Sequence, residues 1–359
     1  MVVPAHCELP PEWETVLAQI AEDADQSDRL GVPRSHFSNL ARIGAHGMPG
    51  GVDQWRELTE RIAGADASTW FCWVQHQSPL RTLESGGNQP ESSAIQQRWL
   101  EGLRSGDFLA AVAFAHVRRP GPVNPVAREI KGEWQLDGSL DWVTSWDIAD
   151  VVMIMALTED KSQILTFFIP TKDFERVISG SEVGDPLELL SMSGTHTRPI
   201  RFDHSVIPRD FLFSARSFTE WQKSDARKTL APNLAAVGLA RAAIDELEAI
   251  GISRVNPEIL RLAATLSGKL IALRQQAHFL LDQADSASDA SLLQSRVDIL
   301  EFARECTAAV VIARAGAGMQ SGKSAERRVR EAMFLQVQAQ TEPTRNEALE
   351  RINQRYSAT

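Results

Sequence analysis

The order of helical and strand patterns along the chain constrains the fold more than any other feature. Apolar residues recur every three to four positions up to about residue 106, short β-rich runs follow to about residue 216, and helical periodicity then returns. Helices and strands that are grouped in this way, rather than alternating, argue against βαβ units. The sequence therefore predicts a mainly α-helical protein with a central β domain.

Three structural units follow from this order. We predict an N-terminal α-helical domain over residues 1–106, a middle β domain over 107–216 and a C-terminal four-helix-type bundle over 217–359. In the first unit, Ser35 is a predicted N-cap for a helix through Arg42, and the apolar run Thr69–His76 predicts a buried helix. In the second, Asp137-Gly138 predicts a hairpin turn within a small antiparallel sandwich or barrel.

Charge and composition exclude several classes of protein. Lys and Arg total 37 against 47 Asp and Glu, so the net charge is −10. A nucleic-acid binder or a protein of anionic membrane surfaces needs an excess of positive charge, so we expect neither partner. Three scattered cysteines, no long apolar span and no basic leader favour a cytoplasmic protein.

Metal and nucleotide motifs are equally scarce. The eight histidines lack the spacing of zinc ligands, so no metal site is predicted. The Gly-rich run over residues 316–324 resembles a phosphate-binding loop, but Ala317 stands where the first glycine belongs and a helix precedes it. For Arg327, Arg328 and Arg330 we expect a solvated helix face paired with Glu326 and Glu331 rather than a phosphate site.

The most informative chemical pattern lies at the end of a predicted strand. Trp142 and Thr144 are two residues apart there, and a second apolar strand begins shortly after Asp150. An indole can stack on a flat heteroaromatic ring for roughly 0.5–1.5 kcal/mol beyond burial, and a hydroxyl can hydrogen-bond its edge for about 0.5–1.5 kcal/mol. Because Trp and Thr are also favoured in strands, a purely structural role is the alternative.

Several segments in the same order resemble the acyl-CoA dehydrogenase superfamily of flavoproteins. The resemblance extends over most of the chain and includes the order of helices, sheet and helices. Its motifs are residues 106–115, 136–145, 193–208, 235–245 and 326–332. The resemblance implies the family fold and a flavin-dependent oxidoreductase that binds FAD, or alternatively FMN, between the β domain and the bundle.

The resemblance also implies which residues contact the flavin. Trp142 would lie against the isoalloxazine ring, and Thr144, followed by Ser145, would hydrogen-bond near N5. The backbone from Phe114 to His116 would face the pyrimidine end.

Contacts to the rest of the cofactor are implied from the C-terminal unit. Thr341 matches a family threonine that contacts the flavin, and Arg254 is a candidate for the pyrophosphate. Because the family shares its FAD between subunits, a homodimer or homotetramer is implied. The implied substrate is a small molecule such as an acyl-CoA, with an electron-transfer partner or a flavin reductase as a second protein.

The sequence departs from the family at the catalytic base. Ala339 stands where the family's common glutamate would remove the α-proton of the acyl thioester. A general base contributes about 10²–10⁴-fold to such a reaction. Two alternatives therefore remain open beside dehydrogenation, namely a flavin monooxygenase that uses reduced flavin and oxygen, and a non-catalytic partner subunit of an active homologue.

His76 belongs to the monooxygenase alternative. The segment 65–76 resembles that branch of the superfamily, in which a histidine on the corresponding helix could hydrogen-bond the peroxide or activate a substrate. The structural alternative is a polar residue of a core helix whose ring is satisfied by a backbone carbonyl.

Overall fold

The N-terminal part of the chain is helical. The computed structural model describes residues 7–47, 51–119, 121–122, 124–339 and 341–357. The helices before the first strand are α1 (Pro11–Leu30), α2 (Arg34–Arg42), α3 (Val52–Ala65), α4 (Ala67–Glu84) and α5 (Ser92–Ser105).

A mixed sheet follows these helices. Its strands are β1 (Ala110–Ala113), β2 (Val126–Ile130), β3 (Glu133–Val143), β4 (Val151–Thr158), β5 (Gln163–Pro170), β6 (Ser181–Val183), β7 (Arg198–Ile207) and β8 (Leu212–Ser217), with a short helix α6 (Phe174–Val177) after β5. The order in the sheet is β6-β7-β3-β2-β4-β5-β8, and β1 pairs with β4. Most pairings are antiparallel as predicted, but β4 pairs in parallel with both β1 and β2.

The last part of the chain is helical again. Its helices are α7 (Phe218–Leu230), α8 (Leu234–Ser253), α9 (Pro257–Asp282), α10 (Asp289–Arg314), α11 (Ser324–Leu335) and α12 (Glu342–Ser357). The Gly-rich run that resembles a phosphate loop follows α10 and overlaps a 3₁₀ segment, Ala315–Met319, so its context is helical as predicted. The predicted fold class is confirmed, while the predicted domain boundaries stay predictions.

Two local predictions, a helix cap and a hairpin turn, are wrong. Ser35 lies inside α2, whose N-cap is Pro33 in extended conformation without a side-chain cap. The hairpin between β2 and β3 turns at Lys131 and Gly132, whose φ angles are both positive, as a two-residue primed turn requires. The Asp137-Gly138 pair instead lies within β3, where Gly138 accommodates the close approach of the Asn124 side chain.

The apolar core explains why strand β4 is an almost unbroken run of hydrophobic residues. Along β4, Val152 and Ile154 join the cluster formed with β3, β5 and β7, whereas Val151 and Met153 join the cluster formed with α4 and α5. Both faces of β4 are therefore buried, which removes the alternating pattern of a strand exposed on one side.

Two ion-paired arginines join the first helix to the end of the bundle. Arg327 bonds to Asp25 on α1 at 3.1 Å, and Arg330 bonds to Asp28 at 2.6 Å. Arg328 pairs with Glu246 on α8. Arg327 and Arg330 also pair with Glu331 and Glu326, as predicted. The predicted solvated helix face is wrong, because Arg327 is only 3% exposed and packs against α1.

Helix α4 places polar groups within the N-terminal core. Its N-cap Asp66 is fully buried and accepts hydrogen bonds from the backbone N–H groups of Ser68 and Thr69. The Asp66 carboxylate also accepts from the Thr69 hydroxyl at 2.6 Å, and that hydroxyl lies 2.8 Å from His36 Nδ1. Burial raises the pKa of Asp66 to about 6.

Candidate functional site

The end of β3 brings several of the predicted flavin contacts together. Thr144 follows the last residue of this strand and forms an isolated antiparallel bridge with Val112 of β1. Two residues earlier, Trp142 leaves 47% of its surface exposed, whereas Thr144 is 5% exposed. The end of β3 therefore presents an accessible indole close to a buried hydroxyl.

The backbone around Thr144 is fixed from the other side by the segment before β7. Ser145, with φ at +69°, donates its N–H to the Thr195 carbonyl at 2.9 Å, and Trp146 donates to the His196 carbonyl at 2.9 Å. The Thr144 hydroxyl accepts a hydrogen bond from Thr197 at 3.4 Å. These bonds hold the end of β3 between two neighbouring segments.

Phe114 lies directly after β1, two residues beyond the partner of Thr144. Its ring is half-buried beneath the Arg118 guanidinium, which lies 4.6 Å from the ring centroid. Arg118 also makes two bonds to Asp225 of α7, at 2.6 and 2.7 Å. Arg119 pairs with Asp141 of β3. The segment after β1 is thereby attached to both the sheet and α7.

The His116 side chain is engaged by the sheet. Its Nε2 lies 2.7 Å from the Met155 carbonyl and acts as the donor, because a carbonyl can only accept. Burial lowers the pKa of His116 to about 4, so the ring is neutral near pH 7. The backbone of this residue, rather than its ring, is therefore the group that could face a ligand.

His76 is enclosed in the core between α4, α5 and β1. Its Nδ1 accepts from the Ala110 N–H at 3.1 Å, and its Nε2 lies 3.1 Å from the Leu103 carbonyl, to which it donates. The ring of His46 packs at 4.3 Å and also bonds to the Leu103 carbonyl. Burial lowers the pKa of His76 well below its usual value. This geometry favours the structural alternative for His76.

The two predicted contacts in the bundle lie far apart. Arg254 is the C-cap of α8 and donates to the Ala313 carbonyl at 2.7 Å. Thr341 follows Gln338, whose side chain bonds to Asn233, the N-cap of α8. The 20 residues of α8 span roughly 30 Å at 1.5 Å per residue, so Arg254 and Thr341 belong to opposite ends of this helix.

The carboxylates beside the strand end are already paired. Asp141 and Asp225 bond to Arg119 and Arg118, respectively. Ala339 has a left-handed φ of +49°, and Glu342 is exposed at the start of α12. Because Asp141 and Asp225 are paired with arginines, neither is free to replace the family's glutamate.

The cavities described below and a cluster of possible metal ligands do not coincide with the predicted flavin contacts. A crevice of about 220 Å³ lies between α1, α3 and α8, and an open groove of about 740 Å³ lies along β2 and β5. Neither is lined by a predicted flavin contact. Asp137, Asp203 and His204 have ligand atoms within 4.8 Å of one another, but Asp137 already pairs with Arg128.

Sequence reasoning did not single out three residues that shape this site. Thr197, Asp225 and Arg118 contact Thr144 or the segment beside it, yet each is distant from its partner along the chain. Thr197 lies within a segment that resembles the family, which was the available signal. None of the helices in the described ranges is long and apolar enough to cross a membrane.

Comparison with known proteins supports the resemblance. No protein-family model matches the chain. Mitochondrial isovaleryl-CoA dehydrogenase from Pongo abelii is 24% identical over 211 residues, which are 54% of this chain and 48% of that protein. The match thus spans about half the length of this curated relative.

Solved structures extend the similarity over nearly the whole chain. A glutaryl-CoA dehydrogenase from Mycobacterium smegmatis in complex with FADH2 is 16% identical, with a TM-score of 0.73 and coverage of 96% of this chain and 95% of that one. A nitrososynthase from Micromonospora carbonacea var. africana is 21% identical, with a TM-score of 0.75 and 98% coverage of both chains. The chain therefore has the fold of the acyl-CoA dehydrogenase superfamily, and the predicted resemblance is confirmed.

Proposed function

We propose that this protein is a flavin-dependent oxidoreductase of the acyl-CoA dehydrogenase type that holds FAD at the end of β3. The observation that carries the proposal is the exposed Trp142 indole, two residues before the buried Thr144 hydroxyl and beside the end of β1. An exposed indole offers a stacking face for a flat ring. A bound flavin supplies the capacity to accept or donate a hydride or single electrons.

The residues at the strand end fit the isoalloxazine ring. Trp142 would stack on one face, and Thr144 would hydrogen-bond the central ring from its edge. The backbone of Phe114 and His116 would meet the pyrimidine end, because the His116 side chain is committed to Met155. Replacement of FAD by FMN is the alternative, and it would leave these contacts unchanged.

The positions of the two cofactor contacts predicted in the bundle support an assembly of more than one copy. Arg254 and Thr341 lie at opposite ends of α8. We propose that they serve two different flavins, with Arg254 reaching the cofactor of a neighbouring protomer in a homodimer or homotetramer.

The missing carboxylate bears on which of two reactions the protein performs. An acyl-CoA is the substrate class that the names of the relatives indicate, and an electron-transfer protein would then reoxidise the flavin. Ala339 supplies no base for the α-proton, and the nearby carboxylates are held by arginines. This observation favours, as a second candidate, a monooxygenase that receives reduced flavin from a reductase.

An absorbance and turnover experiment tests the proposal. The purified protein, loaded with FAD or FMN and freed of excess, should retain a visible flavin spectrum. Bleaching by an acyl-CoA without oxygen supports dehydrogenation, whereas oxygen consumption with reduced flavin supports the monooxygenase. A protein that retains neither flavin overturns the proposal.

A further inference from the structure

Arg296 on α10 is a buried arginine without a carboxylate partner among the described residues. It is 5% exposed. Its Nη1 donates to the Ala231 carbonyl at 3.0 Å and its Nη2 to the Gln338 carbonyl at 2.9 Å, while its Nε has no hydrogen-bond partner in the described part of the chain. Because a buried charge is costly without an opposite charge beside it, buried charges in proteins are normally paired. The charge of Arg296 lacks that compensation.

The other buried arginines show what is missing. Arg56, Arg274 and Arg327 are also at most 6% exposed, and each lies within 3.1 Å of a carboxylate. Arg296 makes its two bonds to neutral carbonyls instead. Burial lowers the pKa of Arg296 to about 10, and the positive charge of Arg118 adds to this effect, so the guanidinium stays charged near pH 7. Arg296 is thus a cation that awaits an anion from outside the described chain.

The guanidinium lies between the C-terminal end of α7 and the segment before α12. Gln338, which accepts one of its bonds, is directly followed by Ala339, the position of the family's base. Ala231, which accepts the other, is the C-cap of α7, the helix that holds the segment after β1. Gln338, Ala339 and Ala231 are only half-buried. Arg296 therefore lies beneath partly accessible chain, next to the position from which the family's base acts on the substrate.

The free donors of Arg296 fit a carboxylate. A guanidinium has five N–H groups in one plane, and Arg296 uses one on each terminal nitrogen, so three remain, including Nε–H. Two neighbouring N–H groups of this fork match the two oxygens of a carboxylate. A single negative charge neutralises the site, whereas a phosphate dianion needs a second free cation, and the nearby Arg118 is already held by Asp225. The chemistry therefore favours a monoanionic acid group.

From this arrangement we infer that Arg296 binds a free carboxylate of the substrate, which is then an organic acid or an acyl thioester with a second, unesterified acid group. This inference rests on the proposed flavin site and names the class of substrate that reacts there. Because a guanidinium stays protonated, Arg296 would hold the substrate by its acid group and would not replace the missing base.

Carboxylate binding to the flavin-loaded protein tests the inference. Straight-chain carboxylates from acetate to hexanoate are compared with their neutral amides at constant ionic strength, and the shift in the thermal unfolding midpoint gives the dissociation constant. We expect a carboxylate of this series to stabilise the wild type, and its amide not to. Arg296→Gln keeps an N–H donor for the carbonyls but loses the charge. It should raise the dissociation constant about ten- to a hundredfold, the range of a hydrogen bond to a charged group.

Arg314→Gln is the matched control on the same helix. Arg314 pairs with Glu246 at 2.6 Å, and Glu246 keeps Arg328 as a second partner when Arg314 is replaced. This variant should bind the carboxylate as the wild type does, with a similar unfolding midpoint. Arg296→Lys keeps the positive charge and should retain part of the binding that Arg296→Gln loses.

The outcomes separate this inference from a structural role and from the proposed function. A lower unfolding midpoint of Arg296→Gln with unchanged carboxylate binding would make Arg296 a purely structural link between α7 and the segment before α12. Equal stabilisation by carboxylates and amides, or by neither, would also overturn the inference, as would a loss of FAD affinity in place of carboxylate binding. If the wild type retains no flavin but the flavin-free protein binds a carboxylate through Arg296, the proposed function fails and the anion site stands.

Discussion

Strand β1 connects two polar regions that differ in how their hydrogen bonds are satisfied. At its start, the Ala110 N–H donates to the enclosed His76 ring, and both ring nitrogens have backbone partners. Two residues later, roughly 7 Å along the strand, Val112 bridges to Thr144 beside the exposed Trp142. We call these the histidine region and the strand-end site.

The comparison distinguishes a structural polar group from one that is available for a ligand. Both regions contain residues that the family resemblance marks as functional. His76 uses its donor and its acceptor on the backbone, so a substrate would have to displace existing bonds. Trp142, in contrast, retains nearly half of its surface. The surface that stays accessible after folding therefore favours the strand-end site, rather than the histidine region, as the candidate ligand site.

Replacing His76 is the strongest way to break this comparison. His76→Ala leaves the Ala110 N–H unpaired and opens a cavity, so we expect a loss of about 3–5 kcal/mol in the free energy of unfolding, measured with urea. The FAD affinity of the folded protein should remain unchanged. His76→Asn, which can keep an acceptor near the Nδ1 position, should lose less. Normal stability together with lost flavin turnover would instead make His76 functional.

Acid titration tests the histidine region by a different route. Burial lowers the pKa of His46 from 6.5 to about 4, so His46 contributes stability above pH 6.5 that is lost as the pH falls toward 4. That contribution is about 3 kcal/mol at 1.36 kcal/mol per pKa unit. Asp66 acts in the opposite direction, because its pKa is raised from 3.8 to about 6 and its stabilisation is lost as the pH rises through 6.

The two effects can be separated with one variant. Asp66→Asn keeps a side-chain cap on α4 but removes the titration. Its unfolding free energy should therefore fall more steeply than that of the wild type between pH 6.5 and pH 4. Parallel pH profiles for the two proteins would contradict the raised pKa of Asp66.

At the strand-end site, the expected effect is on binding. Trp142→Ala removes a half-exposed side chain, so the unfolding free energy should change little, whereas the dissociation constant for FAD should rise about tenfold or more. Fluorescence titration measures this constant. Phe279→Ala, which removes a ring that is 65% exposed on α9, is the control and should bind FAD normally.

The smallest expected effect concerns the segment after β1. The side chains of Arg119 and Asp141 are 50% and 45% exposed, so Arg119→Gln should cost at most about 1 kcal/mol in unfolding free energy. We expect less than about a twofold change in FAD affinity, near the lower end of what a single hydrogen bond contributes. A larger change in affinity would mean that Arg119 belongs to the ligand site.

The sequence predicted the features that depend on local pattern. The order of helices, sheet and helices follows from periodicity. The spacing of Trp142 and Thr144 is equally typical of an ordinary strand, so their predicted flavin contacts depend on the family resemblance. Features that depend on distant neighbours were not predictable in this way. Thr197 meets Thr144 from 53 positions away, and the Leu103 carbonyl that holds His76 has no side-chain signature.

Turn placement shows the same limit on a smaller scale. Both Asp137-Gly138 and Lys131-Gly132 suit a tight turn, and the register in which β2 pairs with β3 places the turn at Lys131 and Gly132. Gly138 is required for the approach of Asn124, which no local rule anticipates.

The ion pairs between α1 and α11 have a consequence for the integrity of the chain. Asp25 and Arg327 are 302 positions apart but in contact. A protease that cleaved the exposed hairpin at Lys131-Gly132 would therefore produce two pieces that both contribute to the same helical layer. The pieces should remain associated in a native gel and separate only in detergent, so a nick at this hairpin need not release the N-terminal helices.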